Sequence, residues 1–419
     1  MQRNISVNLG NLVLSLSDAM DLASPLLIQH QQRVAFSAWQ MAKAARLSTE
    51  KLERTFIAAL LHDIGAFSLE EKIALRNSEV ENTDEHCCRG ESLLGQIPWL
   101  KDSAKIIRHH HTQWREWGGS IEDTFAFESQ LVALADYLER LIQRDRYILH
   151  QHEHIIQDII SLSGSLFHPQ VVDLFLFISK SEEFWLDLVS PRLYAILLNE
   201  GPFRKVEISF SDITVISELF RNIIDFRSRF TSTHSSGVAA SASILARIFG
   251  LMETEISLME VAGNLHDLGK LAIPNSILDK PGKLTKEEMA IIKSHTYYTY
   301  FIINTIGGLQ QIAEWAAYHH ERLDGSGYPF HCKAGELSTG ARILMVADMF
   351  TALAEDRPYR KGMSRDEVMN IIKQFSDRQL LDRRIISLLF ENYEEVKSHM
   401  TLKQAETRDF YERQSAGPA

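Results

Sequence analysis

The chain is poor in cysteine, in proline and in β-branched alternation, and it has no long apolar run. Of its 419 residues only Cys87, Cys88 and Cys332 are cysteines. Neighbouring Cys87 and Cys88 make a poor disulfide pair. The odd count argues against a disulfide-stapled fold, so reduced thiols and a cytoplasmic setting are expected. No stretch of about 18 consecutive apolar residues occurs, which speaks against a membrane-spanning helix and a membrane partner. The first twenty residues, MQRNISVNLGNLVLSLSDAM, hold one basic residue and no uninterrupted apolar segment, so no secretion signal is expected. A surplus of basic charge is missing too. The formal net charge is −11, which argues against polymeric nucleic acid, because a phosphate backbone is gripped mainly by Lys and Arg. A small phosphate ligand stays open, since a metal centre with a few basic side chains reverses the field locally.

What is present is mostly helix. Apolar residues recur at i, i+3, i+4 spacing over Leu47–Leu61, Ser129–Ile142, Phe210–Phe226, His234–Phe249 and Thr339–Ala354. The best strand candidate is the short Lys205–Phe210 stretch after the Gly201–Pro202 break. The expected fold class is all-α.

Histidine is frequent, with 17 residues, several of them adjacent. Four segments occur twice. HQQRVAFSAWQMAKAARLS from His30 resembles HSSGVAASASILARIFGLM from His234. LLHDIGA at Leu60–Ala66 resembles NLHDLGK at Asn264–Lys270. RHHHTQW at Arg108–Trp114 resembles YHHERLD at Tyr318–Asp324, and VALADYLERL at Val132–Leu141 resembles LMVADMFTAL at Leu344–Leu353. The spacings agree: 62 − 30 and 266 − 234 both give 32, and 110 − 86 and 319 − 295 both give 24. The remaining gaps differ by a few residues, as connections between helices can. The expected organisation is two copies of one helical-bundle domain in tandem, 1–200 and 201–419, in contact with each other. His150, His152 and His154 lie outside the repeat and read as a solvated helix end.

The second copy offers His234, the His266–Asp267 pair, His295, the His319–His320 pair and Asp348. Imidazole and carboxylate together suit divalent first-row metals: iron, manganese, nickel or zinc. A carboxylate can bridge two such ions about 3.5–4 Å apart, an arrangement that clamps an in-line phosphoryl displacement. A single buried histidine is usually a core residue. Seven ligand-type residues in one ordered pattern, repeated upstream, are not accounted for that way.

LHDLGK, followed by HHERLDGSGYP, then VADMFTAL and RPYR, resembles the HD-GYP subgroup of the HD phosphohydrolase superfamily from about Ser211 to Ser376. The resemblance implies a helical bundle with a two- or three-metal site, often iron or manganese. It implies hydrolysis of cyclic dinucleotides, cyclic di-GMP above all, with some members acting on 3′,3′-cyclic GMP-AMP. It assigns one metal to His234, His266, Asp267 and Asp348, and the other to Asp267, His295, His319 and His320, with Asp267 bridging. Lys270 would meet a phosphate oxygen, Arg357 and Arg360 the second phosphate, and Tyr328 would line the pocket. The implied mechanism is attack of a metal-bridging hydroxide on phosphorus, giving the linear dinucleotide. The DGSGYP loop, Asp324–Pro329, is expected to use both glycines at positive φ and to orient His319 and His320. Two departures bear on this. Some members carry a third-metal glutamate four residues before the first histidine; here Phe230 stands there, so two ions are expected. An aspartate usually follows the last ligand by three residues; here it is Thr351, which puts an orienting role at that position in doubt.

The first copy keeps His30, His62, Asp63, His86, His110, His111 and Asp136 and could bind metal by its chemistry. Ala66 replaces the phosphate-facing lysine, Thr112 the glutamate of HHE, and REWGGS stands in place of DGxGYP. It reads as an HD domain without the GYP signature: a second active site, a metal-loaded inactive regulator or a structural partner. The tandem arrangement resembles phosphodiesterases acting on 3′,3′-cyclic GMP-AMP. Two alternatives to a cyclic-dinucleotide phosphodiesterase stay open: an HD-superfamily nucleotide phosphohydrolase, and a non-catalytic cyclic-dinucleotide sensor. A homodimer is also open.

Overall fold

The structure, a computed structural model, describes residues 7–22, 24, 26–77, 83–123, 125–203, 207–227, 233–356 and 361–415. It is helical almost throughout and divides into two compact units, Asn8–Glu207 and Ile208–Ala419 with Val7. Among the described residues no helix is long and apolar enough to cross a membrane, and all three cysteines are free thiols. Within the described part of the expected strand Lys205–Phe210, Glu207–Ile208 is a strand that pairs with Val7–Asn8, and Phe210 already lies in a helix. Ser209 and Asp212 exchange backbone-to-side-chain hydrogen bonds (3.0 and 3.3 Å), a cap that turns the chain into helix Phe210–Arg227.

Each unit is built on the helix that begins with its first motif histidine. Helix His30–Ala44 packs against helices Thr49–Leu60 and Ala126–Leu141. Helix His234–Phe249 packs in the same way against Glu253–Leu265 and Thr339–Ala354, and also against Tyr393–Ser415. Small residues allow the close approach: a Cβ on Gly263 would lie 2.5 Å from Ala239 Cα. Gly250, at φ +96°, ends the helix in the left-handed region.

The HD dipeptide falls just past the end of the helix that follows the one begun by the first motif histidine, Thr49–Leu60 or Glu253–Leu265. The glycine two residues after it has a steric reason. A Cβ on Gly269 would sit 1.8 Å from the His295 carbonyl oxygen, and one on Gly65 would sit 2.0 Å from that of His86. The HD turn thereby lies directly on the helix bearing the next histidine, Lys286–Ile306 or Asp84–Leu94. Thr299 fastens the second copy further, its hydroxyl donating to the His266 carbonyl (3.0 Å) and accepting from Gly269 N–H (2.9 Å).

A buried aspartate nine residues ahead of the first histidine also recurs. Asp225 accepts a 2.7 Å bond from the Ser235 hydroxyl, and Asp21 a 3.0 Å bond from Gln31 N–H. Burial pushes each carboxyl up to about 7 from 3.8. The folded chain then keeps a proton that the unfolded chain has lost, so each group costs stability as pH rises from about 4 to 7. Asp225→Asn is therefore expected to raise the melting temperature of chelator-treated protein at about pH 8, with the gain vanishing near pH 4. Thermal melts across that range check it; a pH-independent difference would contradict the burial argument.

Candidate metal centre

Five of the seven ligand-type side chains of the C-terminal unit are buried, and Asp348 and His320 are partly exposed. They meet around Asp267. Asp267 Oδ2 lies 3.2 Å from His266 Nε2, and Oδ1 lies 3.3 Å from His295 Nε2 and 4.0 Å from His319 Nε2. His234 Nε2 stands 3.2 Å from Asp348 Oδ1, and His320 Nδ1 stands 3.9 Å from Asp348 Oδ2. Three overlapping sets could hold an ion: His234, His266 and Asp348; His266, Asp267 and His319; and His295, His319 and His320.

The hydrogen-bond pattern shows that these donors fit cations. His266, His295 and His319 each direct Nδ1 at the backbone carbonyl three residues earlier, at 2.8, 2.6 and 2.7 Å. A carbonyl only accepts, so Nδ1 carries the proton and a neutral ring turns its Nε2 lone pair inward. Burial holds the His295 imidazole down at about 3 and that of His319 well below the usual range. Their Nε2 atoms nevertheless face each other at 3.3 Å, and the buried Nε2 of His266 has no hydrogen-bond partner. Bare lone pairs brought together out of water cost free energy unless a cation lies among them. The acids are ready to match. Burial would raise Asp267, but His266 and Lys270 outweigh it and hold it well below the carboxylate range.

Lys270 sits on the 3₁₀ turn Leu268–Ala272, its Nζ 2.6 Å from Asp267 Oδ2 and partly open to solvent. In the DGSGYP loop only Gly325 has a positive φ (+79°). Gly327 is there for proximity instead: a Cβ would lie 2.3 Å from Glu321 Cα. The glutamate of HHE explains that proximity. Buried Glu321 accepts from the N–H groups of Phe330 (2.8 Å), His331 (3.2 Å) and Cys332 (3.1 Å), tying the loop back beside the histidines. Tyr328 then packs its ring on His320 at 5.0 Å, with Lys293 over its other neighbourhood at 5.1 Å. Arg357, Arg360 and Phe230 lie outside the described residues.

The N-terminal unit assembles the same donors. His30 Nε2 lies 3.3 Å from His62 Nε2, and each lies 3.4 Å from Asp63 Oδ2 and 3.7 Å from Asp136 Oδ1. His86 Nε2 stands 3.4 Å from His110 Nε2 and 4.0 Å from Asp63 Oδ1, and Asp63, His86, His110 and His111 form a set that could hold an ion. His62 and His110 again commit Nδ1 to carbonyls, those of Ala59 (2.9 Å) and Ile107 (2.6 Å). The surroundings differ. Arg140 Nη2 lies 3.2 Å from Asp136 Oδ2. The chain after His111 is led away, with Trp114 and Arg115 N–H bonded to the carbonyls of Leu166 and Ser165. His150 and His154 are exposed, and among the described residues no group able to hold a metal includes either of them or His152.

The sequence reading missed two carboxylates. Glu355 Oε1 lies 3.0 Å from His234 Nδ1, and Glu139 Oε2 lies 2.8 Å from His30 Nδ1. Burial alone would lower these imidazoles, but Glu355 and Asp348 hold His234 up at about 10, and Glu139 and Asp63 do the same for His30. Only a reciprocal search for acids on the helix of the last ligand could have found them.

A helical bundle with a histidine–aspartate cage built on the HD pair just past one of its helices defines a class, the HD domains. The chain belongs to this family, whose domain matches residues 15–171 and 218–385; HD phosphohydrolases are metal-dependent enzymes. Among individual proteins it is 34% identical to 3′3′-cGAMP-specific phosphodiesterase 1 of Vibrio cholerae, over 92% of both chains. It is 26% identical to phosphodiesterase 3 of that organism, over 87% of this chain and 90% of the other. A cyclic di-GMP phosphodiesterase response regulator of Xanthomonas campestris matches 44% of the chain at 37% identity and 48% of its own length. The crystal structure of a cyclic GMP-AMP specific phosphodiesterase of V. cholerae superposes with a TM-score of 0.65, at 23% identity, over 93% of this chain and 98% of that one.

Proposed function

We propose that the C-terminal unit is a metal-dependent phosphodiesterase that opens a cyclic dinucleotide, 3′,3′-cyclic GMP-AMP or cyclic di-GMP, to its linear form. The observation that carries this is the meeting of seven ligand-type side chains, among them the two-sided carboxylate of Asp267, with an ammonium at its rim. His234, His266, Asp267 and Asp348 would hold one divalent ion, and Asp267, His295, His319 and His320 the other. When bound, two such ions supply a nucleophilic water near neutral pH and offset phosphoryl charge. Iron or manganese suits the mixed imidazole and carboxylate set, and nickel or zinc can also occupy it.

The chain's own residues do the rest. Asp267 uses one oxygen toward each half of the cage and fixes the halves relative to each other. Lys270 leans on Asp267 and can turn its ammonium to a phosphate oxygen on the open side. Tyr328, seated on half-buried His320, forms the wall of that opening. Relatives named for cyclic GMP-AMP and for cyclic di-GMP support the substrate class. The N-terminal cage we read as a metal site that does no chemistry: Ala66 stands where Lys270 would be, and Arg140 rests on Asp136.

The test uses the full chain with manganese, iron, nickel or zinc, and cyclic dinucleotides beside a nucleoside triphosphate and (p)ppGpp. The expected product is linear dinucleotide in the presence of metal. Turnover of the triphosphate or (p)ppGpp alone would favour the nucleotide phosphohydrolase, and tight binding of cyclic dinucleotide without turnover would favour a sensor.

A further inference from the structure

The two copies solve one problem in different ways. The first motif histidine needs an acceptor on Nδ1 so that Nε2 faces the cage. In the N-terminal unit that acceptor is Glu139, three residues after Asp136. The equivalent position after Asp348 is Thr351, which is buried and bonds the Ser241 hydroxyl at 3.1 Å. A carboxylate arrives instead from Glu355, four residues further at the C-cap of that helix, where its N–H still bonds the Thr351 carbonyl at 3.0 Å.

The support for that carboxylate has moved with it. Arg33, three residues after His30, holds Glu139 Oε1 at 3.3 Å. The equivalent of Arg33 is Gly237. A Cβ there would lie 2.6 Å from Gln404 Nε2, so the glycine makes room for Gln404. Gln404 comes from helix Tyr393–Ser415 and donates to Glu355 Oε2 (3.1 Å) and to the Thr233 carbonyl (3.2 Å).

We infer that Glu355, held by Gln404, is the positioning residue of the C-terminal metal site, standing in for the acid that Thr351 lacks. Its role runs through His234. It fixes the His234 ring through an anionic hydrogen bond, and a metal-binding histidine held in this way typically depends on its partner for about 10–100-fold in metal affinity. This rests on the proposed metal role of His234.

The experiment compares full-length wild type, Glu355→Ala, Glu355→Gln and the double variant Thr351→Glu/Glu355→Ala. Bound ion is counted, and turnover is titrated with manganese. Glu355→Ala should lose one ion per chain at limiting metal and shift the activation midpoint about 10–100-fold upward. Its kcat at saturating manganese and its KM should stay near wild type. Glu355→Gln, which keeps an acceptor but not the charge, should fall between, and Thr351→Glu/Glu355→Ala should move the midpoint back. Glu355→Gln also decides the matter should Glu355→Ala fail to fold by circular dichroism. Wild-type ion content and midpoint in the folded Glu355 variants would overturn the inference. No ion in the wild-type chain would instead overturn the metal reading itself, and this inference with it.

Discussion

Replacing His266 and Asp267 together by alanine is expected to remove both ions of the C-terminal unit and its phosphodiesterase activity at once, with kcat/KM falling on the order of 10⁴-fold or more. Asp267 serves both halves of the cage, and His266 links it to the half with His234 and Asp348. His266 belongs to the set with His234 and Asp348 and to the set with Asp267 and His319, and Asp267 faces both halves with separate oxygens. Without them one half keeps only His234 and Asp348, and the other keeps three imidazoles and loses its bridging carboxylate. The fold should survive. The HD turn is held by Gly269 against the His295 backbone and by Thr299, not by the two deleted side chains' contacts with each other. Lys270, which loses its partner, is partly exposed and can reach water. Ion counting, circular dichroism and turnover on the full chain decide it. A folded variant with wild-type turnover would sink the assignment. Ion left in this variant belongs to the N-terminal cage and should disappear when His62 and Asp63 are also replaced by alanine.

How much of this the sequence disclosed depended on rigidity. Helices hold their spacing, so the separations of 32 and 24 residues recur in both copies and single out histidines that the fold brings together. Helix bounds were off by a few residues where a cap decides them, as at Ser48, whose hydroxyl accepts from Lys51 N–H and starts the helix two residues after Leu47. Three features were hidden for distinct physical reasons. Glu355 does a job assigned by register to Thr351, and register cannot show that a residue one turn on reaches the same ring. Gln404 lies 404 − 234 = 170 residues from His234, where no spacing rule applies. Gly327 was expected at positive φ, yet what demands glycine there is the approach of Glu321, a contact between chain segments. Motif reading finds residues that share an element. It misses those that meet only after the elements pack.

Lys270→Ala should separate charge stabilisation from metal binding. Asp267 would still face His266 and His295, so both ions are expected to stay. The loss should therefore appear in kcat, by roughly 10²–10³-fold, the usual size for removing one donor aimed at developing phosphoryl charge. KM should change little, because an ammonium that meets an oxygen more strongly in the transition state than in the ground state contributes mainly to rate. Lys270→Arg should recover part of the rate, since a guanidinium keeps the charge but not the compact point geometry. Kinetics and ion content measured on the same preparations check this; turnover near wild type in Lys270→Ala would remove the lysine from the chemistry. The converse substitution is informative too. Ala66→Lys puts an ammonium beside the N-terminal cage, yet Arg140 still occupies Asp136 and Trp114 and Arg115 stay tied to Leu166 and Ser165. No turnover should appear there, because a phosphate needs an open approach as well as a cation to meet it.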